Sequence, residues 1–313
     1  MENKKDIAIT DSSSGGYHVP VLLRETLDGL AIKPGGIYVD CTFGGGGHAK
    51  ELLKQLNATG KLFVFDQDAD AAKNVPADER VVFVPSNFRH LQRFMRLHKT
   101  AVVDGIMADL GVSSHQFDEP ERGFSTRFDA ALDMRMDRRQ ELTAFDVINT
   151  FSEQQLHTMF EQYGEVTNAK TLARTIVAIR SSTSLKTISN FKAALHAVVK
   201  GNPNKYFAQV FQALRIEVND ELGVLRELLE QIPQLLKPGG RVAIITFHSL
   251  EDRLVKNFFR KGSFAEEETH PFENIVSASQ LKIITRKPIT AGPEELKRNP
   301  RSRSAKLRVA EKI

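Results

Sequence analysis

Asp66 and Asp109 each close an apolar run, Lys61-Leu62-Phe63-Val64-Phe65 and Gly105-Ile106-Met107-Ala108. A polar group directly after a buried parallel strand sits on the face of the sheet where ligands bind. Asp66 is suited to accept hydrogen bonds from ribose hydroxyls; the plainer alternative is an exposed strand-end carboxylate. Asp109 is suited to accept a proton or a hydrogen bond from an amine, and its alternative is a helix cap. A third polar group, Phe247-His248-Ser249-Leu250-Glu251-Asp252-Arg253, follows the run Arg241–Thr246 and concentrates donors and acceptors for a polar substrate. Adjacent Ser and His on one turn do not give hydrolase geometry. A helix start capped by Ser249 competes evenly with a role for this segment in chemistry.

These groups need a scaffold, and the run Tyr38-Val39-Asp40-Cys41-Thr42-Phe43-Gly44-Gly45-Gly46-Gly47-His48 supplies its centre. It reads as strand, glycine turn and helix start, an arrangement that brings ligand to bare backbone. Its spacing departs from G-x-G-x-x-G, so alone it does not separate a nicotinamide dinucleotide from S-adenosylmethionine. Further strands are predicted at 61–66, 81–85, 102–110 and 241–247, with 281–285 and 306–310 closing the sheet. Alternation with helices argues for an α/β fold with a mostly parallel, seven-stranded sheet.

The pattern breaks after Asp109. Residues 111–137 are polar and Met-rich, and apolar residues then recur at helical spacing through Phe145, Leu156, Leu172 and Phe191. The expected division is a disordered tail at 1–16, an α/β domain of 17–117 and 207–313, and an all-helical insertion at 118–206. One long helix is predicted over 207–231, a turn at 235–240, and a helix after Pro20, which suits a first helical position.

The chain has 313 residues, 41% of them hydrophobic, enough for one substantial core. A net charge of +4 permits a polyanionic partner. The single cysteine, Cys41, excludes an internal disulfide or a Cys-based zinc site and reads as a packing residue; no metal site is expected. There is no membrane-length apolar run and no secretory signal at the amino end, so a cytoplasmic location is expected. Arg286, Lys287, Lys297, Arg298, Arg301, Arg303, Lys306 and Arg308 form a basic carboxyl segment suited to phosphates. The loops Glu121–Ser125 and Leu132–Asp137 mix Arg with aromatic and Met residues, as an exposed lid over a stacked base would.

Together these motifs resemble one family, the bacterial 16S rRNA cytosine-N4 methyltransferases (RsmH, or MraW). The matching runs are His18–Leu22, Asp40–His48, Asp109–Ser114, Glu121–Ser125, Leu132–Asp137, Phe211–Ile216, Phe247–Arg253 and Asn299–Arg301. Two places depart from the family pattern, Ala130-Ala131 and Ala208-Gln209-Val210, both expected on the RNA side. The resemblance implies a class I, Rossmann-like methyltransferase fold with an inserted helical domain. It also implies methyl transfer from S-adenosyl-L-methionine to N4 of the decoding-centre cytidine at rRNA position 1402. The partner implied is the 16S rRNA of the small ribosomal subunit, and the family leaves room for a homodimer. By motif, the cofactor contacts are Gly46, Gly47, His48, Asp66, Phe88, Asp109 and Gln116, with Phe88 against the adenine.

N4 of cytosine is a poor nucleophile, so holding it in line with the methyl group should provide much of the catalysis. A base must also take its proton. Asp109 is the first choice for that acceptor, with His248 or Glu251 next. A nicotinamide oxidoreductase and a non-catalytic RNA-binding protein are the competing classes. A DNA amino-methyltransferase is disfavoured, because Asp109-Leu110-Gly111-Val112 replaces the Asp/Asn-Pro-Pro-Tyr/Phe tetrapeptide.

Overall fold

The computed structural model describes residues 20–264 and 279–313; the expected tail at 1–16 and His18-Val19 lie outside them. The strands are β1 (Ile37–Asp40), β2 (Lys61–Phe65), β3 (Val81–Val84), β4 (Val103–Asp109), β5 (Leu236–Thr246), β6 (Leu281–Ile283) and β7 (Lys306–Lys312). They form a seven-stranded sheet in the order β3-β2-β1-β4-β5-β7-β6. β1 to β5 run parallel, while β7 pairs antiparallel with β5 and β6.

The helices are α1 (Leu23–Leu30), α2 (Gly47–Gln55), α3 (Leu91–Leu97), α4 (Ser114–Asp118), α5 (Ala144–Thr150), α6 (Glu153–Gln162), α7 (Ala169–Ile179), α8 (Ile188–Leu195), α9 (Pro203–Asn219), α10 (Glu221–Leu235), α11 (Ser249–Lys261) and α12 (Pro293–Arg298). The sheet is covered on both faces, which is why its strands read as continuous apolar runs. Side chains alternate: Phe63 and Phe65 join one core with α3, α10 and α11, whereas Leu62 and Val64 join the other with α1 and α2. A third core, built on Ile148, Phe160, Ile176, Phe191 and Phe211, belongs to the helices inserted after β4.

Four expectations are corrected. The single helix over 207–231 is two, because Asp220 adopts a left-handed conformation (φ 49°) between α9 and α10. α9 buries Phe207, Val210 and Leu214 in the helical core, although the sequence division placed residues from 207 in the α/β domain. The turn at 235–240 is absorbed into β5 as an irregularity, with Leu236 opposite Val103 and Arg241 opposite Gly105. α1 starts at Leu23, three residues after Pro20, because Leu22 is left-handed (φ 50°).

Candidate active site

The carboxyl ends of β1, β2, β4 and β5 open into one cleft of about 590 Å³, within the usual range for small-molecule sites. It brings together Gly47, His48, Asp66, Phe88, Asp109, Gln116 and Glu251, while Gly46 and His48 form the bend and first turn that start α2. The glycines have separate reasons. Gly44 and Gly46 take positive φ (51° and 74°), which other residues rarely adopt. A Cβ on Gly47 would lie 2.3 Å from Pro20 Cγ, so this glycine serves packing. A Cβ on Gly45 would meet nothing within 4 Å, leaving bare backbone beside open space.

Asp66 organises the loop. Gly44 N–H donates to its Oδ2 (2.7 Å) and Asp68 N–H to its Oδ1 (2.8 Å). Burial outweighs these bonds and pushes its carboxyl up to about 6. Asp40, 1% exposed, is pushed up to about 7, again chiefly by burial. Asp109 stands highest: burial first, then the charges of Asp40 and Glu251, raise it to about 8. Asp109 caps no helix, since Ser113 does that for α4. Its backbone N–H donates to Thr42 Oγ1 (2.6 Å), and its Oδ1 is buried without a partner among the described residues. By contrast Asp104, at the other end of β4, accepts from Lys237 (2.7 Å) and Ile37 N–H (3.0 Å).

His48 lies 3.9 Å from Asp109, too far for a hydrogen bond. Burial lowers its imidazole to about 4, so it is neutral, and its Nε2 meets the Val21 carbonyl at 3.0 Å. A carbonyl only accepts, which assigns the proton to Nε2. His48 thus holds the amino-terminal segment over the cleft.

His248, not Ser249, caps α11, sharing a capping box with Glu251. Glu251 is 2% exposed and accepts from Phe247 N–H (2.8 Å) and His248 N–H (3.3 Å). Burial would raise its carboxyl, but His248, Arg215 and the Phe247 N–H together hold it below the usual range. Among the described residues of the cleft, Asp109 Oδ1 is the buried carboxyl oxygen with nothing to accept.

Sequence reasoning missed the node beneath. Asp68 Oδ2 accepts from Arg122 (2.7 Å) and from Gln116 (2.8 Å), and Arg122 also donates to the carbonyls of Arg135 (3.1 Å) and Met136 (3.0 Å). Arg122 is 2% exposed, and Phe124, Leu132, Met134 and Met136 are buried too. The two Arg- and Met-rich loops are therefore a strut joining the insertion to the cofactor side, not an exposed lid. Gln116 faces the cleft with its amide already engaged by Asp68 and the Ser113 N–H. Phe88 lines the cleft from a short turn capped by Asn87. The signal available in sequence was the spacing Asp66-x-Asp68, two carboxylates after one strand.

Asp66, Asp109 and Glu251 line the cleft with carboxyl groups, which suits a cationic ligand and disfavours a pyrophosphate. An orphaned carboxyl oxygen beside exposed glycine backbone fits a sulfonium nucleoside with an amino acid tail. The sheet order, the antiparallel β7 and this cleft define a class I methyltransferase, with S-adenosyl-L-methionine as its cofactor. The sequence profile of the MraW methylase family matches residues 16–313, and the chain belongs to that family. It is 54% identical to the ribosomal RNA small subunit methyltransferase H of Azobacteroides pseudotrichonymphae, over 97% of this chain and 100% of that protein. It is 55% identical to the protein of the same name from Flavobacterium johnsoniae, over 95% and 98%. An rRNA methylase structure from Streptococcus thermophilus covers 95% of this chain and 99% of its own, at 11% identity and a TM-score of 0.40. That likeness is too distant to bear on the site. No described helix is long and apolar enough to cross a membrane.

Proposed function

We propose that this protein methylates N4 of the decoding-centre cytidine, position 1402, in the 16S rRNA of the small ribosomal subunit. The orphaned Oδ1 of Asp109, at the end of the central strand β4, is the observation that carries the reading. The names of the close relatives support the RNA as substrate.

When bound, S-adenosylmethionine supplies an electrophilic methyl group. Gly44–His48, Asp66, Phe88, Asp109 and Gln116 would hold it. Asp109 receives a hydrogen bond from N4–H, which directs the nitrogen lone pair forward, and then takes the proton. At a value of about 8 this carboxyl is mostly protonated near neutral pH. A cation entering the cleft favours the carboxylate, the form that accepts. Glu251 is the poorer acceptor because its Oε2 already accepts from Phe247 N–H and His248 N–H while its Oε1 lies 3.2 Å from His248 Nε2. The target base must leave its stack to reach this floor.

The test is methyl transfer from labelled S-adenosylmethionine to small-subunit RNA from a strain lacking the enzyme, followed by nucleoside mass spectrometry. N4-methylcytidine at position 1402 is expected. Methylation on carbon or on ribose would overturn the assignment.

A further inference from the structure

One cation on the cleft wall has no role in the chemistry described so far. Arg301 lies in the short turn Pro300–Ser304, whose first N–H is taken by Asn299 Oδ1 (3.2 Å). Its guanidinium carbon stands 5.0 Å from the centre of the Phe117 ring, with Arg127 over the same ring at 5.8 Å. Its Nη2 donates to Asp118 Oδ1 at 2.5 Å. Phe117 and Asp118 both belong to α4, which begins five residues after Asp109, so the reacting end of β4 and the arginine share one rigid support. Arg301 lines the same cleft as Asp109 and Glu251. Its Nη1 is shielded from solvent and has no hydrogen-bond partner among the described residues.

A buried guanidinium N–H without an acceptor is unfavourable, and ring and carboxylate together keep this one from turning away. The missing partner is therefore an anion brought by a ligand. Two are available in principle, the carboxylate of the methyl donor and a phosphate of the nucleic acid. Phosphate is favoured, because Phe117 packs against the insertion's core and Arg301 sits among Lys297, Arg298 and Arg303.

Resting on the proposed RNA substrate, we infer that Arg301 grips a phosphate oxygen of the strand beside the target nucleotide and so fixes the flipped base over Asp109. The full-length protein is assayed for KM toward small-subunit RNA across a salt series, with donor affinity and melting temperature measured in parallel. Arg301→Ala should raise KM by about tenfold or more and reduce the salt slope by about 1, with donor affinity unchanged. Arg301→Lys should restore the slope and only part of KM, since a lysine lacks the planar fork. Arg303→Ala, an exposed neighbour, should change KM far less. Unchanged KM and slope in Arg301→Ala overturns the inference. So does an equal effect of Arg303→Ala, and a parallel loss of donor affinity would assign the donor carboxylate instead. Wild-type protein inactive on this RNA would sink the functional reading itself. Filter binding of the same RNA to the Arg301 variants still reads the phosphate contact in that case.

Discussion

The two walls of the cleft are built by different physics. The wall proposed to hold the methyl donor, called the donor wall below, is mainly backbone: Gly44 N–H on Asp66, Asp109 N–H on Thr42, and glycines at φ 51° and 74°. The opposite wall is side chain on side chain: Arg215 on Glu221, Arg301 on Asp118, and the Arg122–Asp68 bridge that fastens it to the donor wall. Backbone contacts fix one geometry within a few residues and suit a ligand that never changes. Long side chains pair across distant segments and can be exchanged as the macromolecular substrate demands. The same contrast appears in the carboxyl groups: those of the donor wall are raised by burial, while Glu251 opposite is held down by His248 and Arg215.

Asp109→Asn tests the contrast most severely. It keeps the shape and an accepting oxygen but cannot take the proton, so turnover should fall by about 10²–10⁴-fold in single-turnover assays. Donor affinity, read by calorimetry, should change little; equal losses would make Asp109 a cofactor ligand only.

Arg122→Ala strikes the bridge. It strands the carboxylate of Asp68, 8% exposed, inside the protein and should destabilise the fold by about 3–5 kcal/mol in denaturant unfolding. A loss under 1 kcal/mol would mean the strut is dispensable.

Gly46→Ala loads the donor wall alone. Its Cβ would sit 2.7 Å from the Phe43 ring in a left-handed backbone, a strain of about 1–2 kcal/mol. S-adenosylmethionine affinity should drop, with RNA affinity unaffected.

The smallest effect is on pH. Asp40, Asp66 and Asp109 have folded values of about 7, 6 and 8 against 3.8, so the folded state retains protons the unfolded chain has lost. Stability therefore falls as pH rises between those limits. His48, lowered to about 4 from 6.5, acts the opposite way below pH 6.5. Between pH 6.5 and 8 only the carboxyl groups remain in play, and the melting temperature of the ligand-free protein should decline. Asp109→Asn should flatten that decline and stabilise the protein at pH 8; an unchanged slope would show Asp109 to be ionised in the empty cleft.

Much of the donor wall was legible in the chain. The strand, glycine turn and helix over Tyr38–His48, the strand-end positions of Asp66 and Asp109, and the helical character of the insertion depend on local sequence, where periodicity and backbone freedom act within a few residues. The chain alone also distinguished an α/β sheet from its helical interruption. Only tertiary structure decided the rest. Asp220 divides one helix into two, of which α9 packs in the helical core and α10 in a core of the sheet. Arg122 and Met134 look exposed in sequence and are buried because the insertion folds back against Asp68. The raised carboxyl value of Asp109 arises from desolvation and the nearness of Asp40 and Glu251, which come together only when β1, β4 and β5 lie side by side. Charge state depends on distance through space, and sequence records distance along the chain.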